Sequence, residues 1–249
     1  MEKPFTIEVV FTPLLFPVKV TSDPCIVVLA DILRATTSIC AAFDNGVERI
    51  IPVATTEEAK GMKEMGYLVA SEQDGIKHDF ADFGNSAFHF SNESIGGKTL
   101  VYCTTNGTRA LKMSGHQGKT AIGAFINISA LSDWLIGQKM NVEILCSGWK
   151  NMFCLEDSIF AGALVGKLIE SSSFSTRCDS AHAALDLWNI ARYDLMGYLE
   201  KAAHRERLKR LKLDDVIPFS FTADTSASIP VFENGEIRNV APWDQSEST

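Results

Sequence analysis

Short polar motifs directly follow the apolar, strand-like runs of this sequence. DILRATT (31–37) follows CIVVLA, SEQD (71–74) follows YLVA, and TTNGT (104–108) follows LVYC. Ser147 and Gly148 follow VEILC in the same way. The carboxyl ends of parallel strands share one edge of a sheet, and open α/β folds bind ligands at that edge. The grouping of hydroxyls, carboxylates and a guanidinium therefore predicts an anion-binding site there.

The first motif carries groups that bind phosphate or sulfonate. Thr36 and Thr37 lie where a helix is expected to begin, and Arg34 lies just before them. Free backbone N–H groups, two hydroxyls, the positive end of a helix dipole and a guanidinium fork suit such an anion. Alternatively, Thr36 only caps its helix and Arg34 forms a surface ion pair. These residues alone leave both interpretations open.

TTNGT supplies a second set of such groups. Thr104, Thr105 and Thr108 add hydroxyls, Asn106 adds an amide, and Gly107 allows the backbone to approach a ligand closely. An Asn-Gly pair between apolar runs is also typical of a hairpin turn. The next segment, TRALKM, has a helical pattern, which favours an anion-binding turn between a strand and a helix.

Acidic residues in or near these motifs suit a divalent cation. Asp31 ends an apolar strand, where an unpaired carboxylate would be costly to bury, and its hard oxygen atoms suit Mg²⁺. Glu156 and Asp157 open a predicted long helix, where a favourable interaction with the helix dipole is the alternative explanation. The segment at 71–98 adds further candidates: Glu72, Asp74 and Asp82.

Several common catalytic motifs are absent from the sequence. The five histidines form no HxH or HExxH pair, so a zinc centre is not expected. There is no DxDxT, no GxxxxGK[ST] and no GxSxG. The six cysteines form no CxxC pair and lie mostly in apolar runs, which predicts reduced, buried, structural thiols.

The order of apolar runs and helical patterns defines the expected fold. Runs rich in β-branched residues alternate with helix-like stretches, which is typical of βαβ units. We predict a three-layer α/β/α fold with a largely parallel or mixed sheet over residues 1–170. Residues 171–249 are expected to add two helices and a hairpin turning at Asn234 and Gly235, an α+β portion packed on the core or continuous with it. Residues 71–98 are expected to form a long loop.

The overall composition narrows the class of protein. The formal net charge of −8 argues against a nucleic-acid partner, because such proteins concentrate Lys and Arg. The start MEKPFTIEVVF does not resemble a signal peptide, and no apolar stretch approaches the roughly 20 residues of a membrane span. We therefore expect a cytoplasmic enzyme without a membrane partner. A homodimer is a further expectation for an enzyme of this size.

Five motifs, in order, resemble those of a known family. They are DILRATTSI, AAFDNGVERIIPVATTEEA, DFGNS, TTNGTRAL and SGWKNMFCLEDSIFAGAL. Together they resemble the 2-phosphosulfolactate phosphatases over roughly Val27 to Leu168. The resemblance implies an α/β fold and Mg²⁺-dependent removal of phosphate from 2-phospho-3-sulfolactate, giving 3-sulfolactate on the way to coenzyme M.

The resemblance also implies a set of site residues. Carried over by motif, they are Asp31, Arg34, Thr36, Thr37, Glu72, Asn85, Ser86, Thr104, Thr105, Asn106, Thr108, Glu156 and Asp157. The sequence has SEQDG where a GERGG-like run is common, and FGNSA where a proline usually follows the serine. If an arginine at the position of Gln73 normally holds the sulfonate, the substrate of this protein differs.

These residues suggest a mechanism. In this hypothesis Asp31, with one or more of Glu72, Glu156 and Asp157, holds Mg²⁺, while Arg34 and the TTNGT turn bind phosphate oxygens. Asp157 is the expected catalytic carboxylate that orients or deprotonates the attacking water. A covalent intermediate on Asp31 or Cys146, another phosphorylated 2-hydroxy acid as substrate, and a non-catalytic anion-binding module are the alternatives.

Overall fold

The computed structural model describes residues 3–18, 24–90, 95–104, 106–115 and 118–240. Helices flank a mixed, mostly parallel sheet, so the predicted three-layer α/β fold is confirmed. No helix in these residue ranges is both long and apolar enough to cross a membrane. Thr105, one of the predicted site residues, lies outside the described residues.

Eleven strands within the described ranges form one sheet. They are β1 (Phe5–Val10), β2 (Cys25–Ala30), β3 (Arg49–Pro52), β4 (Leu68–Gln73), β5 (Ile76–Lys77), β6 (Thr99–Cys103), β7 (Thr120–Gly123), β8 (Asn141–Cys146), β9 (Phe174–Ser175), β10 (Pro230–Glu233) and β11 (Glu236–Asn239). Their spatial order is β5-β4-β6-β3-β11-β10-β7-β2-β8-β1-β9.

The α-helices occupy the segments between the strands and much of the C-terminal part. They are α1 (Ala35–Asp44), α2 (Thr56–Glu64), α3 (Gly107–Ser114), α4 (Ile128–Gln138), α5 (Leu155–Glu170), α6 (Asp179–Ala191), α7 (Leu195–Tyr198), α8 (Ala203–Arg210) and α9 (Ile217–Ser220). Local sequence explains the start of α2, where Thr55 and Glu58 form a capping box.

The C-terminal hairpin occupies the middle of the sheet. β11 pairs antiparallel with β3, and β10 pairs antiparallel with β7. The turn at Asn234 and Gly235 is as predicted, and both residues have positive φ. The division near residue 170 stays a prediction, although the sheet and the main hydrophobic core both extend across it.

This insertion corrects the expectation that all parallel strands share one edge. β4, β6 and β3 run in one direction, and the antiparallel hairpin reverses the direction for β7, β2, β8 and β1. In a flat sheet the carboxyl ends of β2 and β6 would lie at opposite edges. Sheets twist by roughly 20–25° per strand, so edges several strands apart need not point away from each other. The contacts at the site show that these two ends meet.

The segment at 71–98 is more regular than a long loop. β4 continues through Gln73 and forms a tight hairpin with β5, and a 3-10 helix spans Ala87–Phe90. Asp74 and Gly75 form the turn, and both have positive φ. The loop expectation is therefore wrong for this hairpin, because its polar side chains obscure the strand pattern in the sequence.

Candidate active site

The starts of α1 and α3 meet at the carboxyl ends of β2 and β6. A Cβ atom placed on Gly107 would lie 2.7 Å from the Cβ of Ala35 and 3.1 Å from Oδ2 of Asp31. Only a residue without a side chain allows this approach. Gly107 thus brings two helix N-termini together, a role beyond the predicted approach of backbone to ligand, and N-terminal N–H groups favour an anion nearby.

Asp31 lies at this junction with its carboxylate buried. Its Oδ1 accepts a hydrogen bond from the Ala35 N–H at 3.3 Å, and its own N–H donates to Oγ1 of Thr36 at 3.1 Å. Burial raises the pKa of Asp31 above its ordinary value, and the Glu72 carboxylate raises it further, whereas His204 and hydrogen bonds oppose the rise. Asp31 is therefore a desolvated carboxylate, a suitable partner for a cation.

A small, partly open cavity lies beside Asp31. The predicted site residues that line it are Asp31, Arg34, Glu72, Asn85, Thr104 and Asn106. Sequence reasoning did not assign a role to the other lining residues, which are Leu33, Gly75, Trp149, His204, Arg207 and Leu208. The cavity thus combines carboxylates, guanidinium groups and neutral polar groups in a confined space.

The β4–β5 turn holds Arg34 and Glu72 at the cavity. Nη2 of Arg34 donates to the carbonyl oxygen of Gly75 at 3.2 Å, and the Gly75 N–H donates to Oε2 of Glu72. Burial lowers the pKa of Arg34, while the Glu72 carboxylate acts in the opposite direction. Arg34 is only 4% exposed, so the alternative that it lies on the surface is wrong.

Three of the predicted hydroxyls belong to the turns around the cavity. Thr36 and Thr37 are 0% exposed, and the hydroxyl of Thr37 donates to the carbonyl oxygen of Ile32 at 2.9 Å. The hydroxyl of Thr108 donates to the carbonyl oxygen of Thr104 at 2.9 Å. These hydroxyls fix the turns that present Asp31 and Thr104, and they do not line the cavity.

Asp157 connects two of the strand ends. Its Oδ1 accepts from the Ile32 N–H at 2.9 Å and its Oδ2 accepts from the Gly148 N–H at 3.0 Å. Burial raises its pKa well above the ordinary value, and the neighbouring carboxylates of Glu156 and Asp31 add to this rise. The catalytic role of Asp157 stays a prediction, but this geometry favours a positioning role, because Asp157 does not line the cavity.

Asn85 and Ser86 differ in their relation to the cavity. Oδ1 of Asn85 accepts a hydrogen bond from the hydroxyl of the buried Tyr102 at 2.5 Å, and Asn85 lines the cavity. Ser86 is buried beside Asn85 but does not line the cavity. Tyr102, which orients Asn85, had no signal in the sequence beyond its place at the end of a strand.

Glu156 faces a histidine from the C-terminal part of the chain. Its Oε1 lies 2.9 Å from Nδ1 of His204, and the side chain does not line the cavity of Asp31 and Glu72. Single ligand atoms from Cys154, Glu156 and His204 all lie within 4.8 Å of one another. This set of S, O and N atoms suits zinc better than Mg²⁺. His204 is far from Cys154 and Glu156 in the sequence, so the spacing of the histidines gives no sign of the group.

Helix α8 brings His204 and Arg207 to the cavity. The guanidinium of Arg207 lies over the ring of Trp149, 3.6 Å from its centroid. The sequence signal was the i, i+3 spacing of His204 and Arg207, which places them on one helix face next to the buried Leu208. The basic stretch HRERLKRLK concealed this signal, because most of its charges face the solvent.

Of the cysteines, only Cys146 was considered from the sequence as a covalent nucleophile. A cysteine-phosphatase loop was not expected, yet Cys103 and Arg109 have the Cys-x5-Arg spacing of such loops. Arg109 is exposed and does not line the cavity, and burial raises the pKa of Cys103. Burial also raises the pKa of Cys146 well above its ordinary value. Neither thiol therefore resembles an activated thiolate nucleophile.

The fold and the site together define a class of protein. Helix N-termini, a buried guanidinium and hard carboxylate oxygens around one small cavity form an arrangement suited to phosphoryl transfer. The family model described as 2-phosphosulpholactate phosphatase matches residues 10–235. The chain belongs to this family.

Relatives over most of the chain agree with this assignment. A protein of Thermotoga maritima is 34% identical over 208 residues, covering 84% of this chain and 89% of its own. One of Gloeobacter violaceus is 34% identical over 230 residues, covering 90% and 94%. One of Caldanaerobacter subterraneus subsp. tengcongensis is 32% identical over 216 residues, covering 85% and 89%. Each is named a probable 2-phosphosulfolactate phosphatase. The chain is accordingly a phosphatase, a phosphoric monoester hydrolase.

Proposed function

We propose that this phosphatase hydrolyses 2-phospho-3-sulfolactate to 3-sulfolactate and phosphate with the help of Mg²⁺. The observation that carries the proposal is the convergence of Asp31, Arg34 and Glu72 on one cavity at the joined starts of α1 and α3. The names of the relatives support the choice of substrate. The substrate carries three acidic groups, and the cavity carries two guanidinium groups.

The residues at the cavity fit Mg²⁺. Asp31 and Glu72 line the same cavity, and they lie close enough for the charge of Glu72 to raise the pKa of Asp31. Two adjacent carboxylates with amide and hydroxyl oxygens nearby form the hard oxygen donor set that Mg²⁺ prefers. Bound there, Mg²⁺ would supply stabilisation of the charge that develops on phosphoryl oxygens. We leave Glu156 out of this set, because it faces His204.

The other groups have roles that follow from their positions. Arg34 binds phosphate oxygens, and the positive ends of the α1 and α3 helix dipoles stabilise the negative charge of the phosphate. Asp31 accepts a hydrogen bond from the attacking water and orients it, while Asp157 holds the turn that carries Asp31. The oxygen of water forms a bond to phosphorus, the bond from phosphorus to the C2 oxygen breaks, and the proton that the water gives up is balanced by the proton that the C2 oxygen takes up.

Some expectations from sequence stay predictions. They are the pathway to coenzyme M, the cytoplasmic location, the homodimer and the precise phosphorylated 2-hydroxy acid. The departure at Gln73 does not weaken the proposal, because Arg207 supplies a second guanidinium at the cavity from another part of the chain.

Phosphate release tests the proposal. Purified protein is assayed with 2-phosphosulfolactate, 2-phospholactate and 3-phosphoglycerate, in Mg²⁺ and in excess EDTA. We expect preferential release from the sulfonated substrate, its loss in EDTA and its return with added Mg²⁺. EDTA-resistant release would refute the role of Mg²⁺, and release only from the other substrates would refute the choice of substrate.

Matched variants connect the activity to the cavity. Glu72→Gln and Asp31→Asn should lower kcat by at least about 100-fold, since each removes a charge next to the phosphoryl group. Arg34→Ala should lower turnover by a similar factor, about 100-fold. Glu64→Gln changes an exposed carboxylate on α2 and serves as the control. Near-normal activity of any cavity variant would remove that residue from the scheme.

A further inference from the structure

Two guanidinium groups converge on one glycine of the β4–β5 turn. Nη2 of Arg34 donates to the carbonyl oxygen of Gly75 at 3.2 Å. Nη2 of Arg207 lies 3.5 Å from the position that a Cβ atom on Gly75 would take. Arg207 is close enough to lower the pKa of Arg34, beyond the larger effect of burial. Like charges are held together here from two distant parts of the chain.

The guanidinium of Arg207 is fixed but incompletely bonded. It lies 3.6 Å from the centroid of the Trp149 ring, and its Nη1 lies 3.5 Å from Nε2 of His204. Nη2 of Arg207 is buried and has no hydrogen-bond partner in the described parts of the chain. Buried donors are nearly always hydrogen-bonded, so an orphaned nitrogen in a cavity calls for a ligand.

The chemistry of the orphaned group defines its partner. A guanidinium donates paired hydrogen bonds to carboxylate, sulfonate or phosphate oxygens. The carboxylates of Asp74 and Glu72 are near enough to raise the pKa of Arg207, against the larger effect of burial. They offset part of its charge, but the nitrogen on the side of Gly75 still lacks an acceptor. An anionic group of the substrate would supply that acceptor.

We infer that Arg207 binds the acidic group on the alcohol part of the substrate, and so selects phosphate esters of acidic 2-hydroxy compounds. This inference rests on the proposed function, in which Arg34 binds the phosphate near the positive ends of two helix dipoles. Arg207 then binds the sulfonate or carboxylate that remains on the product. Stacking on Trp149 orients the guanidinium before the substrate arrives, which reduces the ordering cost of binding.

The groups that bind the phosphate and the group that binds the alcohol part come from different parts of the fold. The phosphate-binding groups lie on the turns after β2 and β6, whereas Arg207 lies on α8 in the C-terminal part. A substitution on α8 can therefore change which alcohol part of the substrate binds, without moving the carboxylates that line the cavity. This separation predicts an effect on binding of the product and on KM, with little effect on kcat.

Calorimetric binding to the full-length protein in Mg²⁺ tests the inference directly. The probes are 3-sulfolactate, lactate, isethionate and inorganic phosphate, and the variants are Arg207→Gln, Arg207→Lys and the control Lys209→Gln on an exposed position of α8. Arg207→Gln should weaken the binding of 3-sulfolactate roughly 10-fold to 100-fold, as expected for loss of a charge-assisted hydrogen bond. Inorganic phosphate should bind within about twofold of normal, because it uses the other groups.

The separate probes identify the bound group. A loss with isethionate but not lactate assigns Arg207 to the sulfonate, and the reverse assigns it to the carboxylate; both support the inference. Arg207→Lys keeps the charge but loses the fork, so it should bind 3-sulfolactate with intermediate affinity. Equal weakening of 3-sulfolactate and inorganic phosphate, or no weakening of either, would overturn the inference.

Kinetics distinguish failure of the inference from failure of the proposed function. For 2-phosphosulfolactate, Arg207→Gln should raise KM about 10-fold or more and leave kcat within about threefold. For isopropyl phosphate, which has neither a carboxylate nor a sulfonate, kcat/KM should not change. A wild-type protein that binds 3-sulfolactate through Arg207 but releases no phosphate would overturn only the proposed function. A hydrolase with unchanged KM in Arg207→Gln would overturn only the inference.

Discussion

The contact between α1 and α3 at Gly107 gives a sharp prediction. In Gly107→Ala the new Cβ would lie 2.7 Å from the Cβ of Ala35, and carbon atoms need about 3.5 Å or more. The Cβ of Ala35 is fixed to the backbone and cannot rotate away, so the start of one helix must shift by roughly 0.8 Å. Oδ2 of Asp31, at 3.1 Å from the same position, would be displaced as well.

The expected effects on stability and activity differ in size. Overpacking costs about 1–3 kcal/mol, and the better helix propensity of alanine offsets up to about 1 kcal/mol. The free energy of unfolding should therefore fall by no more than about 2–3 kcal/mol. A displacement near 1 Å in an active site can lower activity about 100-fold, so kcat/KM should fall far more than the folded fraction does.

The assay compares Gly107→Ala with a matched glycine. Gly61 lies inside α2, and a Cβ atom there would contact nothing within 4 Å. Gly61→Ala should keep normal activity and gain about 0.5–1 kcal/mol of stability. Urea unfolding and phosphate release are measured for both variants. If Gly107→Ala keeps kcat/KM within about threefold of wild type, the argued role of this contact in catalysis is refuted.

Three other changes test separate parts of the structure. Asp157→Ala should lower the free energy of unfolding by about 2–4 kcal/mol in urea titrations, because two buried N–H groups lose their acceptors. A loss below about 1 kcal/mol, together with a greatly reduced kcat, would instead support Asp157 as the catalytic base. Cys146→Ala should keep kcat within about threefold of wild type, because the raised pKa of this buried thiol keeps it protonated. For the same reason iodoacetamide should not inactivate the wild type, and inactivation that depends on Cys146 would contradict the expectation. Gly162→Ala should cost at least about 2 kcal/mol by thermal or urea unfolding, since its Cβ would lie 1.9 Å from a backbone carbonyl oxygen of α6. Gly166→Ala, one turn later, meets only the end of a leucine side chain and should cost less, and equal costs would argue against this close helix contact.

Local patterns in the sequence predicted much of the secondary structure. The capping box of Thr55 and Glu58 and the turn at Asn234 and Gly235 are confirmed, because such signals depend on residues only a few positions apart. The predicted α/β class is confirmed for the same reason, since the alternation of strand and helix is a local property. Asp31, Arg34 and Glu72 followed from polar residues at strand ends and from the family motifs, and all three line the cavity.

Other features needed the tertiary structure. The sequence does not state which strands pair, and the insertion of the C-terminal hairpin between β3 and β7 reverses half of the sheet. The pairing of strands that lie far apart in the sequence depends on how the apolar faces of all strands and helices are buried together. Thr36 and Thr37 matched an anion site by residue type, yet their hydroxyls form the turn, because only the folded backbone shows which acceptors are near.

The sequence by itself determined the strand-end motifs, the helix and turn signals and the family, because each is a pattern along the chain. Only the tertiary structure decided that His204 and Arg207 join Asp31 and Glu72 at one cavity, since α8 lies more than a hundred residues away in sequence. It also decided that Asp157 supports the turn after β2 through two backbone N–H groups. Side-chain chemistry can be read from a sequence, whereas the distances that allow groups to act together arise from packing the whole core.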